Sequence, residues 1–209
     1  MNVIVLGAGV IGVTTAWFLR KSGHDVTVVE RRDQPGLETS FANAGQISAN
    51  LADPWANPST LREAVRWLFR DDTPLVFRPK FDIHQWTWLL KFLRECPGDR
   101  YTRNLVHLAN LGVYSRSTLQ SLRADIGIEY DHRERGILLF FTDEKKLRSA
   151  AEAAHALKPS GVRREVLDVA RCLQTEPSLN SIRDELKGGI YSRYDETGDA
   201  FQFTQRLAR

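Results

Sequence analysis

The first thirty residues predict an α/β fold that opens on a parallel βαβ unit, on three observations. Residues 3–6, Val-Ile-Val-Leu, form an apolar run without polar alternation, as expected of a parallel strand covered on both faces. Gly7, Gly9 and Gly12 follow at once and lead into a helical apolar pattern through Trp17 and Leu19. A second apolar run at residues 26–29 then closes on an acid, Glu30.

Each part of that unit has a physical reason. Gly7 permits the turn leaving the first strand, Gly9 lets a pyrophosphate approach the backbone, and Gly12 lets helix and strand pack closely. The unpaired amides and positive end of the helix then face the phosphates. Glu30, 18 residues beyond Gly12, stands where a carboxylate accepts hydrogen bonds from a ribose hydroxyl. Strand, glycine turn, helix, strand and acid in this order make a Rossmann-like site for an adenine dinucleotide. The competing reading is a glycine turn that serves packing alone. Val10, Val13 and Trp17, with Ile11 and Phe18, give the helix a broad apolar face; Arg20, Lys21 and Ser22 close it in solvent, and Gly23 ends it.

Composition narrows the class. The 209 residues are 42% apolar and 26% charged, which describes a soluble globular chain of one large domain, or one domain and part of another. A net charge of +3 with no basic tract, zinc module or RNP-like strand excludes a nucleic-acid partner. Cys96 and Cys172 are too few and too far apart for a disulfide framework or a metal site, so both read as ordinary thiols. No stretch approaches the roughly 18 apolar residues that span a bilayer. The glycine-punctuated start reads as a buried strand rather than a cleaved leader, so the mature chain is expected to begin near Met1.

From residue 31 to residue 50 periodicity is lost. Pro35 and Gly36 mark a turn, and residues 38–48 are mostly small and polar, suited to a backbone lying along a large cofactor. Thr39 or Ser40 is placed to cap a short helix whose amides meet the pyrophosphate; the alternative is an ordinary surface loop. Arg31 and Arg32 raise the 2′-phosphate of NADP as a ligand, but Glu30 argues against it, so they flank an adenosine or face water.

Further on, Ser59 or Thr60 opens a helix carrying Leu61, Val65, Leu68 and Phe69. Residues 83–95 form an amphipathic helix with Trp86, Leu89, Leu90 and Leu93 on one side, for which packing is favoured over a membrane-surface patch. The longest helical pattern covers residues 100–124. Strands are expected at 128–130, 136–142 and 188–193. Helices are expected from Thr142 or Asp143 through Leu157, over 167–173 and from 201, with a turn at 195–199. The order implies an incomplete Rossmann-like βαβ domain beginning at residues 1–52, an α+β substrate or cap-domain portion with a helical insertion at 53–193, and a return segment at 194–209. An open parallel sheet needs more than two strands, so others are expected after Arg209 or from another chain.

The opening glycine motif, Glu30-Arg31, the run Ser40-Phe41-Ala42-Asn43-Ala44-Gly45-Gln46-Ile47-Ser48, and the late Asp195-Glu196-Thr197-Gly198-Asp199 with Phe203-Thr204 together resemble the amino-terminal half of the FAD-dependent D-amino acid dehydrogenases, within the D-amino acid oxidase and glycine oxidase family. The resemblance runs end to end, over about half a family member. It implies FAD as cofactor, with Gly7, Gly9 and Gly12 at the pyrophosphate and Glu30 on the adenosine ribose. Arg31 would lie beside the nucleotide, with Ser40 and the segment Asn43, Ala44, Gly45 and Gln46 near the diphosphate and isoalloxazine. It also implies oxidative deamination of D-amino acids to 2-oxo acids and ammonia, with electrons passed to a quinone or other respiratory acceptor. A cytoplasmic location follows, extending to peripheral contact with the inner face of the membrane. No catalytic residue is assigned: Tyr191, Arg193 and His132 are polar candidates without a role, and the carboxylate-binding groups are expected in the family's other half. Alternatives are a glycine, sarcosine or D-hydroxyproline oxidoreductase of the same family, an NAD(P)-dependent dehydrogenase, or a truncated remnant or subunit completed by a carboxyl-terminal polypeptide. Alone, the chain is expected to be a weak flavoprotein.

Overall fold

The computed structural model describes residues 1–49, 53–58, 60, 78, 80–157 and 163–209. The helix expected after Thr60 and the stop at Pro159-Ser160-Gly161 lie outside the described residues.

Strand β1 (Asn2–Leu6), helix α1 (Val10–Lys21) and strand β2 (Asp25–Val29) form the predicted crossover. The strands pair in parallel from Asn2↔Asp25 to Leu6↔Val29. Val13 is the buried residue of α1, and Val10, Trp17 and Phe18 pack beside it into a core with Leu122, Ile128, Tyr130 and Phe203. Ile11, expected on that face, is 78% exposed; the partners of α1 lie on the side of Val10 and Trp17. The expectation that β1 is covered on both faces also fails. Val3 and Val5 are half-buried, but Ile4 and Leu6 point the other way and are 68% and 81% exposed. Alternation follows from the two-residue period of a strand, and no described element packs on the outer face.

A short strand β3 (Gln46–Ile47) follows. Helix α2 (Ile83–Glu95) opens on Asp82, whose side chain accepts from the His84 amide. Helix α3 (Gly98–Ile126) runs 29 residues and ends on Gly127 in the left-handed conformation. Its carboxyl-terminal third meets α1: Leu119 and Leu122 join the core above, and Lys21 pairs with Asp125 at 2.8 Å.

The second sheet is antiparallel. Strand β4 (Ile137–Phe141) and strand β5 (Glu165–Leu167) flank strand β6 (Gly188–Ser192). Helix α4 (Glu144–Ala156) is capped by Asp143, and helix α5 (Val169–Thr175) by Asp168. Leu167, Cys172, Leu179 and Leu186 form the core between α5 and that sheet. Strand β7 (Glu196–Thr197) returns to pair antiparallel with β3, and helix α6 (Ala200–Leu207), capped by Asp199, packs on α1.

Three sequence expectations are corrected. Residues 128–130 are not a strand: Ile128 and Tyr130 are buried, and Asp131 turns the backbone with φ 53°. Leu167 belongs to β5 rather than to the helix after it. The expected turn at 195–199 contains β7. Both cysteines are free and buried, and burial pushes their thiols up. Among the described residues no helix is long and apolar enough to cross a membrane, and no group of three or more His, Cys, Asp or Glu is placed to hold a metal ion.

Candidate functional site

The amino end of α1 is where the predicted residues meet. Its N-cap is Gly9, which offers no side-chain cap, and its first turn contains no acid. The unpaired amides and the positive end of the dipole are therefore left to partners from outside the helix. Gly7 adopts φ 95°, a region that suits glycine. A Cβ on Gly12 would stand 1.9 Å from the Gly7 carbonyl oxygen, so α1 packs on the turn only with glycine there. Gly9 is different. Within 4 Å a Cβ would meet Ser40 Oγ alone, at 3.5 Å, and the space before its backbone is open.

Glu30 follows β2 directly. Its Oε2 accepts from the Ala8 amide at 2.6 Å and its Oε1 from the Arg32 amide at 2.9 Å. These amides, Ala8 first, hold its carboxyl below the ordinary range. Arg31 and Arg32 both donate to Glu38, at 2.9 and 2.6 Å, and Arg32, then Arg31, keeps the Glu38 carboxyl low. All three side chains remain about half exposed or more.

Ser40 is buried, and its Oγ accepts from the Val10 amide at 3.0 Å. The short helix expected from Thr39 or Ser40 is absent; residues 38–42 form a turn closed by the Phe41 amide on the Glu38 carbonyl. With glycine at its N-cap, α1 lacks a cap of its own, and the loop serine supplies one. The Ser40 oxygen accepts from Val10, so its proton is free to donate to a neighbouring group. Asn43 ties the loop together: its Oδ1 accepts from Gly45 N–H at 2.8 Å, and its Nδ2 donates to the Thr39 and Ser40 carbonyls. Ala44 and Gln46 are exposed beside it.

Two clefts flank α1. One, of about 900 Å³, includes Ala8, Glu30, Val28 and Pro35 in its lining; the other, of about 440 Å³, includes Val10, Asn43, Gly45, Gln46 and Tyr114. A helix amino end with no acid in its first turn, the Ser40 hydroxyl and the Glu30 carboxylate at the glycine turn suit an anionic linker and a sugar diol. The site residues therefore fit an adenine dinucleotide. Sequence reasoning missed Glu38, which holds both arginines, and a buried polar cluster behind Gly45 in which Arg116, Gln120 and Arg123 of α3 meet Asp195 and Glu196. The signal was present in the spacing of the three α3 residues, which shares one helix face.

The family model described as FAD dependent oxidoreductase matches residues 2–209. The chain belongs to this FAD-dependent oxidoreductase family. Within it, the chain is 49% identical over 208 residues to the D-amino acid dehydrogenase of Dechloromonas aromatica (strain RCB), and 48% identical to D-amino acid dehydrogenase 1 of Mesorhizobium japonicum. Each match covers 100% of this chain and 50% of the relative; the chain spans about half the length of these curated relatives, corresponding to their amino-terminal half. Among solved structures, the fold is similar to L-proline dehydrogenase from P. horikoshii, with TM-score 0.67 and 16% identity over 99% of this chain and 40% of that one. It is also similar to glycine oxidase from Geobacillus kaustophilus, with TM-score 0.63 and 21% identity over 98% of this chain and 42% of that one. These likenesses support the α/β Rossmann-like fold with its separate helical and sheet region.

Proposed function

We propose that this chain is the FAD-holding amino-terminal part of a D-amino acid dehydrogenase. Residues 1–52 begin the cofactor domain, 53–193 form the substrate or cap portion, and 194–209 return toward the cofactor. Glu30 holds the adenosine ribose, with Arg31 beside the nucleotide. The backbone from Gly7 through Gly12, with the Ser40 hydroxyl, receives the diphosphate; Asn43, Ala44, Gly45 and Gln46 lie toward the ring. Bound FAD supplies the acceptor for the hydride lost from the substrate Cα. The chain's own groups neutralise and orient the dinucleotide. Hydrolysis of the resulting imine gives a 2-oxo acid and ammonia, and a respiratory quinone takes the electrons at the inner face of the cytoplasmic membrane.

The observation that carries this reading is identity near one half to D-amino acid dehydrogenases along the whole chain, coincident with an open glycine turn that holds Glu30. The exposed outer face of β1, at Ile4 and Leu6, favours completion of the sheet by polypeptide outside these 209 residues. The test measures flavin absorbance and D-alanine-dependent dye reduction by the chain alone, and after adding a polypeptide matching the other half of the relatives. Weak FAD retention alone and D-alanine oxidation after addition are expected. A preference for glycine, sarcosine or D-hydroxyproline would move the substrate assignment within the family. Retention of NAD(P)H without flavin would overturn it.

A further inference from the structure

Behind the cofactor-side loop lies a charged cluster that packing alone does not require. Asp195 and Glu196 are consecutive carboxylates at 0% and 2% exposure. Helix α3 answers them from one face. Arg116 Nη1 lies 3.2 Å from Asp195 Oδ1, and Arg123 Nη1 lies 2.7 Å from Glu196 Oε2. Gln120 donates to Glu196 and Ser48 to Asp195, while Arg123 also reaches the Tyr130 hydroxyl at 3.0 Å. Buried ion pairs are costly to desolvate and add little stability over apolar packing, so their use in fixing a geometry is the better explanation.

The geometry they fix leads to α1. Asp195 and Glu196 anchor β7, which pairs with β3 in the register Gln46↔Thr197 and Ile47↔Glu196. Next to that pair, Gly198 N–H donates to the Gly45 carbonyl at 2.8 Å. The backbones touch so closely that a Cβ on Gly45 would stand 2.5 Å from the Gly198 oxygen. Gly45 in turn bonds Asn43, Asn43 bonds the Ser40 carbonyl, and Ser40 caps Val10. The run of contacts from α3 to the first amide of α1 is unbroken.

We infer that Arg116 and Arg123 are positioning residues: through Asp195 and Glu196 they set where the wall formed by Gly45, Gln46 and Ile47 stands relative to the amino end of α1. The inference rests on the reading of that wall as part of the FAD site. Mere contiguity does not establish coupling, so two independent readouts are needed. Amide hydrogen exchange at Gly45 and Gly198 reports the wall itself, and flavin fluorescence titration reports FAD affinity. Arg123→Gln and Arg116→Gln are expected to speed exchange at both amides and to weaken FAD binding, each by about tenfold or more. Arg100→Gln, on the same helix but paired with Glu95, is expected to do neither. Arg116→Lys keeps a single contact to Asp195 and is expected to restore both. Should Arg123→Gln fail to fold, the Arg116 variants decide the question. Unchanged exchange overturns the positioning role whatever flavin does. Faster exchange with unaltered FAD affinity overturns the link to the cofactor. A wild-type chain that takes up no FAD, alone or after the completing polypeptide is added, overturns the cofactor reading, and with it the link, while exchange still decides whether the arginines hold the wall.

Discussion

Gly9 and Gly12 stand three residues apart and answer to different constraints, which a methyl group separates. Gly12→Ala drives a Cβ into the Gly7 carbonyl oxygen; overpacking of this kind costs about 1–3 kcal/mol, and urea denaturation should show it. Gly9→Ala meets only the Ser40 hydroxyl at 3.5 Å and should cost less than about 1 kcal/mol as an N-cap change. Its FAD affinity should nonetheless fall about tenfold or more, because the methyl group occupies the approach to the backbone. A Gly9→Ala chain that binds FAD like wild type would remove the diphosphate from that position. Glu30 gives a second test. The Ala8 amide, then that of Arg32, holds its folded carboxyl below the ordinary 4.5, so the folded state binds its proton more weakly than the unfolded state does. Its stabilisation is complete above that ordinary value and is lost as pH falls through the depressed one. The difference in denaturation midpoint between wild type and Glu30→Gln should therefore be full at neutral pH and shrink under acid. A difference independent of pH would assign the effect to the side chain's shape rather than its charge.

At the scale of elements, charge placement decides what a substitution costs. Glu196 is buried and depends on Arg123 and Gln120. Arg123→Gln should cost about 3–5 kcal/mol, as removal of one partner from a buried pair does. Arg100→Gln, at a pair with Glu95 that is 33% and 36% exposed, should cost less than about 1 kcal/mol. Equal losses at the two sites by urea denaturation would mean that the buried cluster is already hydrated. What was legible in the sequence follows the same division. The spans of α2, α3 and β4 were readable because apolar periodicity and aspartate or glycine boundaries are local signals. The glycine turn between β1 and α1, and Glu30 at the end of β2, were readable because the βαβ unit fixes their spacing. Strands β3, β5 and β7 were not, since two or three residues carry no period and become strands only through their partners. Residues 128–130 misled for the opposite reason: Ile128 and Tyr130 suit a strand, but both were recruited as core between α1, α3 and α6. The Arg123 to Glu196 and Ser48 to Asp195 contacts join residues 73 and 147 positions apart, a separation that no local pattern encodes.

For the molecule as a whole, the sheet built by β1 and β2 is where sequence and structure part. An unalternating apolar strand predicts cover on both sides, and α1 supplies one cover. On the other side Ile4, Leu6 and Val29 stand exposed, in a parallel pair too small to be stable by itself. A covering layer and further strands from the polypeptide proposed to complete the chain would resolve both features at once. Lysine at either position separates this from a face that is tolerated in water. In the chain alone, Ile4→Lys and Leu6→Lys replace side chains that touch little, so stability should move by no more than about 0.5 kcal/mol. On assembly the same lysines would be buried without a counter-ion, a cost of several kcal/mol. Either variant should then fail to form the complex by light scattering and fail to gain FAD, while Glu152→Lys, exposed on α4, should assemble. Complexes that form unchanged with both lysines in place would show that the completing polypeptide does not bind this face. Unfolding of the isolated variants would show that the face is already covered within the chain.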